Sequence, residues 1–164
     1  MTRLQLVTFI HAPKSLVFDL SRDMDVHMQS AVSTGERIIE GRKSGLLGYG
    51  EKVRFEGRHF GCKLRHTSQI TALSPFDYFV DEMTDGRFRS FRHEHVFRQE
   101  GGFTRMEDVI SYEVPFGWLG QVFDRLLLRR HLTSFLLHRN LHIKKIAEQQ
   151  TGEPPENRNG FSPN

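Results

Sequence analysis

Apolar and polar residues alternate over positions 3–10, RLQLVTFI, which is the period of a strand with one covered face. Ala12-Pro13 interrupts it. The following KSLVFDLSRD sets Leu16, Val17 and Leu20 on one side of a short helix, with Pro13 suited to its first turn. A second short helix is predicted over Met24–Ala31, capped by the Asp23 carboxylate. From Gly35 to Pro115 the period is that of strands, at Arg37–Glu40, Gly50–Arg58, Cys62–Leu73, Tyr78–Met83, Phe88–Gln99 and Phe103–Val114. Asp85-Gly86 and Gly101-Gly102 read as tight turns. After Pro115 the period lengthens. Trp118 to about Glu148 is rich in Leu, contains no Pro and predicts one long helix. Leu119, Val122, Phe123, Leu126 and Leu127 form a stripe expected to lie buried against a sheet. Leu132, Leu136, Ile143 and Ile146 fall on another side, so the stripe turns near Leu128–His131, through a kink or a second contact surface. Residues 149–164 read as a loose tail after a single domain over 1–148.

The last hairpin can be registered from its turn. With Gly101-Gly102 as a two-residue loop, Phe97 pairs with Met106, His95 with Asp108, His93 with Ile110 and Phe91 with Tyr112. Arg92, Glu94, Arg98, Glu107 and Glu113 share the opposite face, which is solvent-like, so the first face is the inner one. It is aromatic and apolar, yet it holds His93, His95 and Asp108. Such a cluster fits a structural hydrogen bond, a polar anchor for a ligand, or general acid–base work by an imidazole that Asp108 orients. If it is structural only, the double change His95→Phe with Asp108→Leu is expected to be nearly neutral. Val53 and Phe55, and Leu64, His66, Ser68 and Ile70, read as inward by the same alternation. For Tyr78–Met83 a two-residue turn puts Tyr78 and Val80 inside, and a three-residue Thr84–Gly86 loop puts Phe79 and Asp81 inside. The second is favoured because it buries Phe79 and Met83 and gives Gly86 a left-handed position.

The order of strand, two short helices, six strands and a long terminal helix suits an α+β fold in which a curved antiparallel sheet grips the helix. FIHAPKSLVFDL, FRSFRHEHVF and GGFTRMEDVISYEVPFGWLGQVFDRLL resemble the opening and closing segments of the START-like, birch-allergen-like and polyketide cyclase/dehydrase superfamily, known as SRPBCC. The resemblance covers about residues 3–147. It implies a helix-grip fold with a cavity between sheet and helix. It also implies binding of a small hydrophobic molecule such as a lipid, polyketide or quinone. A cyclase or dehydratase using His93 or His95 with Asp108 is the alternative, and a quinone- or lipid-handling partner protein a third. The candidate lining is Phe55, His66, Phe79, Phe91, His93, His95, Phe97, Asp108, Ile110, Tyr112 and Phe123.

Composition narrows the field. Fourteen Phe residues suit a large aromatic interior. The net charge is only +3, the cations are scattered, and no nucleic-acid module is visible, so nucleic acid is not an expected partner. No apolar run is long enough to span a bilayer. The N-terminus reads as a strand and not as a secretory signal, and a cytoplasmic setting with a homodimer left open is the expectation. Cys62, the single cysteine, excludes an intramolecular disulfide and reads as a packing residue. The glycines at 45, 48 and 50 lack the Lys-Ser/Thr of a phosphate loop. His93-x-His95 with Asp108 offers three ligand types on one face, and His131, His138 and His142 recur along the helix without the Glu of a zinc-protease motif. Neither set is expected to hold a metal, and no cofactor is expected. Arg129-Arg130-His131 interrupts the apolar helix and reads as a solvated turn.

Overall fold

Alternation over nine residues produces strand β1 (Thr2–Ile10), and Pro13 ends it by capping α1 (Lys14–Arg22). Asp23 closes α1 and starts α2 (Met24–Ser30), its carboxylate accepting from the N–H groups of Asp25 at 2.8 Å and Val26 at 3.3 Å. Six strands follow: β2 (Arg37–Gly41), β3 (Lys52–His59), β4 (Cys62–Ser74), β5 (Tyr78–Asp85), β6 (Ser90–Glu100) and β7 (Phe103–Glu113). They join β1 in one antiparallel sheet of order β1-β7-β6-β5-β4-β3-β2. Register shifts in the β2–β3 and β4–β5 ladders bend it. The chain then runs helically from Gly117 to Thr151 across the concave face, as α3 (Gly117–Phe123), a π-helical turn (Asp124–Leu128) and α4 (Arg129–Thr151). This is the helix-grip fold. The structure, a computed structural model, describes residues 1–152. The helix thus extends three residues past the domain end expected at 148, and the remainder of the expected tail, 153–164, lies outside the described residues.

The main core lies where α1 and the C-terminal part of α4 meet the sheet. Val17 and Phe18 pack with Ile10, Phe97, Met106, Ile143 and Ala147. Leu136 is also buried, and Leu132 and Ile146 pack at the margins, so the second apolar set of the helix is the one that faces the sheet.

The first set does not. Leu119 is 58% exposed, Leu126 68%, and Val122, Phe123 and Leu127 lie at the surface with Phe116 and Trp118. The inner ridge of this segment is instead Gly120, Asp124 and Leu128. Gly120 sits so close to the Pro115 carbonyl that a Cβ would come within 1.9 Å of its oxygen, so only glycine fits. Four residues on, Asp124 accepts from the Tyr112 hydroxyl, from Thr2 Oγ1 at 2.7 Å and from Arg129 Nε at 3.0 Å. A close backbone contact and a buried carboxylate set the helix phase here and turn the hydrophobic stripe outward. The change of stripe falls at the π turn, where one extra residue per turn rotates the face.

Two further polar side chains tie the helix to β7 and to β1 with the residue that follows it. Asn140 donates to Asp108 Oδ2 at 2.6 Å and to Thr8 Oγ1 at 3.2 Å, and Glu148 accepts from the backbone N–H of His11 at 3.0 Å. Cys62 corrects another expectation: it is exposed at the start of β4 instead of packed.

Candidate functional site

The Gly101-Gly102 turn registers β6 on β7 as its two residues require, with Glu100 opposite Phe103, His95 opposite Asp108, His93 opposite Ile110 and Phe91 opposite Tyr112. On the other side of β6, strand β5 brings Asp81 opposite His93 and Phe79 opposite His95. The favoured face of Tyr78–Met83 is the observed one: Phe79 is buried and Tyr78 is exposed. The turn itself differs. Residues Gly86–Arg89 connect the strands, and Gly86 does not take a positive φ.

These strands assemble a buried polar cluster. The rings of His93 and His95 lie 3.7 Å apart between centroids. Nε2 of His93 is 2.8 Å from Oδ1 of Asp108, and Nε2 of His95 is 3.1 Å from Oδ2 of Asp81. Nδ1 of His95 also lies 2.8 Å from Asp108 Oδ1, but out of line for a hydrogen bond. Nδ1 of His93 lies 3.7 Å from Asp81 Oδ2. Each imidazole therefore stands between two carboxylates. Ser68 on β4 donates to Asp81 Oδ1 at 2.8 Å. From α4, the guanidinium of Arg139 lies 3.7 Å from Asp108 and donates to the Ser21 carbonyl at 2.6 Å.

Burial alone would raise the Asp108 pKa, but hydrogen bonding to His93 and the nearness of both imidazoles hold it well below the usual carboxylate range. Asp81 behaves alike: burial opposes ionisation, and His95, His93 and Ser68 outweigh it. The His93 pKa is pushed down, first by burial and then by His95, against the pull of Asp108.

A cavity of about 220 Å³ opens in front of this cluster, between the sheet, α1, α2 and α4. A water molecule takes about 30 Å³ of the liquid, so the space suits an organic molecule. Its wall is largely apolar, with Leu64, Ile70, Leu132 and Leu136 among the aliphatic residues. Of the residues expected there, Phe55, His66, Phe79, Phe91, His93, His95 and Ile110 do line it. Four others do not. Asp108 is fully buried behind the histidines. Phe97 packs edge-on against Phe18 in the core. Tyr112 packs against Phe88 and Phe91 and donates its hydroxyl to Asp124. Phe123 lies on the outer side of the helix, its ring edge against Phe60.

Residues outside the expected set also reach the cavity. Asp81 follows from the favoured face of β5. Arg139 stands at the spacing of Leu136, Asn140 and Ile143, which marks the inner ridge of α4. A second polar spot is formed by His27 and Glu36, 2.9 Å apart. His59 and His131, 2.9 Å apart, border the cavity where it is half-exposed. The Glu36 pKa is lowered: burial opposes ionisation, and the hydrogen bond to His27 overcomes it.

No protein-family model matches the chain, and no curated protein matches it. Solved structures do share its fold. The Zhui aromatase/cyclase from a Streptomyces species superposes with a TM-score of 0.72 at 14% identity, over 92% of this chain and 95% of that one. A protein of Thermus thermophilus gives 0.70 at 16% identity, over 89% and 99%. Ginseng major latex-like protein 151 from Panax ginseng gives 0.65 at 16% identity, over 89% and 97%. The likeness to these solved structures is one of fold.

Proposed function

We propose that this chain binds a small hydrophobic molecule in the cavity between sheet and α4, with its polar end against Asp81, His93 and His95. The observation that carries this reading is the pairing of an apolar wall with one compact polar cluster, the arrangement by which pockets combine affinity with orientation. A lipid, polyketide or quinone has the required chemistry, an apolar body with a few oxygens. Native mass spectrometry of freshly purified protein tests it, together with uptake of an apolar fluorophore. A co-purified molecule, and a Leu132→Trp variant that excludes the fluorophore, support the reading. A protein that carries nothing and takes up no fluorophore rejects it.

A cyclase- or dehydratase-like reaction is the second reading. Its support is the 2.8 Å contact between His93 and Asp108 at the cavity wall, which orients an imidazole toward bound substrate. His93→Asn then removes turnover while the ligand still binds.

For assembly, we infer a homodimer joined through the exposed face that holds Trp118, Leu119 and Leu126. Sedimentation equilibrium that finds only monomer rejects it. Among the described residues no helix is long and apolar enough to cross a membrane.

A further inference from the structure

We propose that Asp81, His93 and His95 form a binding site for a divalent first-row transition-metal ion, with two nitrogen donors, one oxygen donor and open positions facing the cavity. This goes beyond the ligand-binding reading and does not depend on it.

Spacing is the first support. One donor atom of each residue lies within 4.8 Å of the other two. Asp81 Oδ2 is 3.1 Å from His95 Nε2 and 3.7 Å from His93 Nδ1. Two donors bound to one ion at about 2.1 Å stand about 3.0–3.4 Å apart at octahedral or tetrahedral angles, so small side-chain shifts complete the set. Two imidazoles and a carboxylate are the donors such ions prefer over magnesium or calcium. Among the described residues, no other three His, Cys, Asp or Glu side chains meet this way.

The surroundings are the second support. Asp108 Oδ1 lies 2.8 Å from the far nitrogen of each ring, Nε2 of His93 and Nδ1 of His95. Asp108 takes the far N–H of His93 in an aligned hydrogen bond, which leaves the lone pair of its near Nδ1 facing Asp81 Oδ2. The far nitrogen of His95 is as near to Asp108 but out of line, and its Nε2 is hydrogen-bonded to Asp81, a contact that a bound ion takes over. The far oxygen of Asp81 is held by Ser68, and Asp108 by Asn140. His93 and Asp81 thus have the outer partners by which proteins orient metal ligands, and His95 has Asp108 within reach. The sequence groups Asp108 with the two histidines, in a set not expected to hold a metal; in the structure Asp81 stands beside their near nitrogens and Asp108 lies behind the rings.

Charge is the third. Two carboxylates meet in the cluster, and Arg139 offsets one. With neutral imidazoles one negative charge remains, and a buried charge needs a partner. A cation among the three donors supplies it. The rival occupant is a proton on one imidazole.

The test uses the full chain, stripped with a chelator and titrated with Co²⁺ followed by its visible bands, and with Zn²⁺ by calorimetry. One ion per chain is expected. Asp81→Asn and His93→Asn each weaken binding by about tenfold or more, and His138→Ala does not. Should a variant fail to fold, Co²⁺ added to the unaltered chain must broaden the imidazole NMR signals of His93 and His95 before those of other histidines. Absence of binding, binding that survives both substitutions, or broadening centred elsewhere overturns the proposal. The proton as sole occupant appears as the first of these. A chain that binds metal but no fluorophore keeps this inference and loses the ligand reading; one that binds fluorophore but no metal keeps the ligand reading and loses this inference.

Discussion

His93, and not His95, makes the aligned hydrogen bond to Asp108, although His95 stands directly across the β6–β7 ladder from that carboxylate. The diagonal contact arises because β5 offers His95 a second carboxylate, Asp81, and the ring tilts toward it. What reads in one hairpin as a His–Asp pair is a network drawn from β4, β5, β6, β7 and α4.

That network changes the expected result of removing the pair. Asp108→Leu strips the carboxylate from His93, Asn140 and the nearby Arg139, all in the interior, and is expected to cost about 3–5 kcal/mol. Adding His95→Phe does not restore it, because the other groups stay unsatisfied. Urea unfolding of the single and double variants checks this; a near-neutral double variant contradicts it.

The helix has two apolar sets of opposite importance. Leu136→Ala, at a position 4% exposed, is expected to cost about 2–5 kcal/mol. Leu126→Ala, at 68% exposure, is expected to change monomer stability by less than about 0.5 kcal/mol. Comparable losses in chemical denaturation would show that the outward stripe is covered.

Gly120→Ala reverses the usual preference of helices for alanine, which favours that change by about 1 kcal/mol. The new Cβ meets the Pro115 carbonyl and must displace backbone, at about 1–3 kcal/mol. Thermal denaturation reads the sign. A stabilised Gly120→Ala protein would mean that the start of α3 is free to move away.

Acidification is expected to destabilise the fold in two stages. The pKa values of His93, His66, His59 and His131 are lowered in the folded state, in each case first by burial. The unfolded chain takes up protons at these residues near pH 6.5, about their free value, while the folded one stays neutral. It then binds more protons than the native state, and stability falls as pH drops below about 6.5. Asp81 and Asp108, whose pKa values are also lowered, hold their contribution down to about pH 4 and lose it below. Calorimetric melting across this range checks both stages; a melting temperature unchanged between pH 7 and 5 contradicts the first.

The sheet is legible in the sequence because strand faces repeat every two residues and one glycine pair pins the last register. Those two facts place His93, His95 and Asp108 on one inner face. Asp81 is reachable only as one of two options, since Asp85-Gly86 reads as a tight turn whereas the four residues Gly86–Arg89 join the strands. The start of the helix misleads because hydrophobicity alone selects the wrong buried face. Gly120, Asp124 and Leu128 stand four residues apart, and a glycine and an aspartate on one ridge do not look like a core. Arg139 and Asn140 are hidden for the same reason: polar residues in a helix read as solvated until the opposite strands show what they meet.

Asp124, Asn140 and Glu148 have a joint effect that none has alone. Asn140 follows Asp124 by sixteen residues and precedes Glu148 by eight, which along a helix is about 24 and 12 Å. Each finds its partner at one place on β7, on β1 or just past its end. A helix held only by leucines can slide by one turn over a curved sheet and still bury much the same area. Here a slip of one turn, about 5.4 Å, would unpair all three at once. The three contacts act as a vernier: they admit one axial position of the helix, and so hold the helix side of the cavity, Leu132, Leu136 and Arg139, at a set height above the histidines.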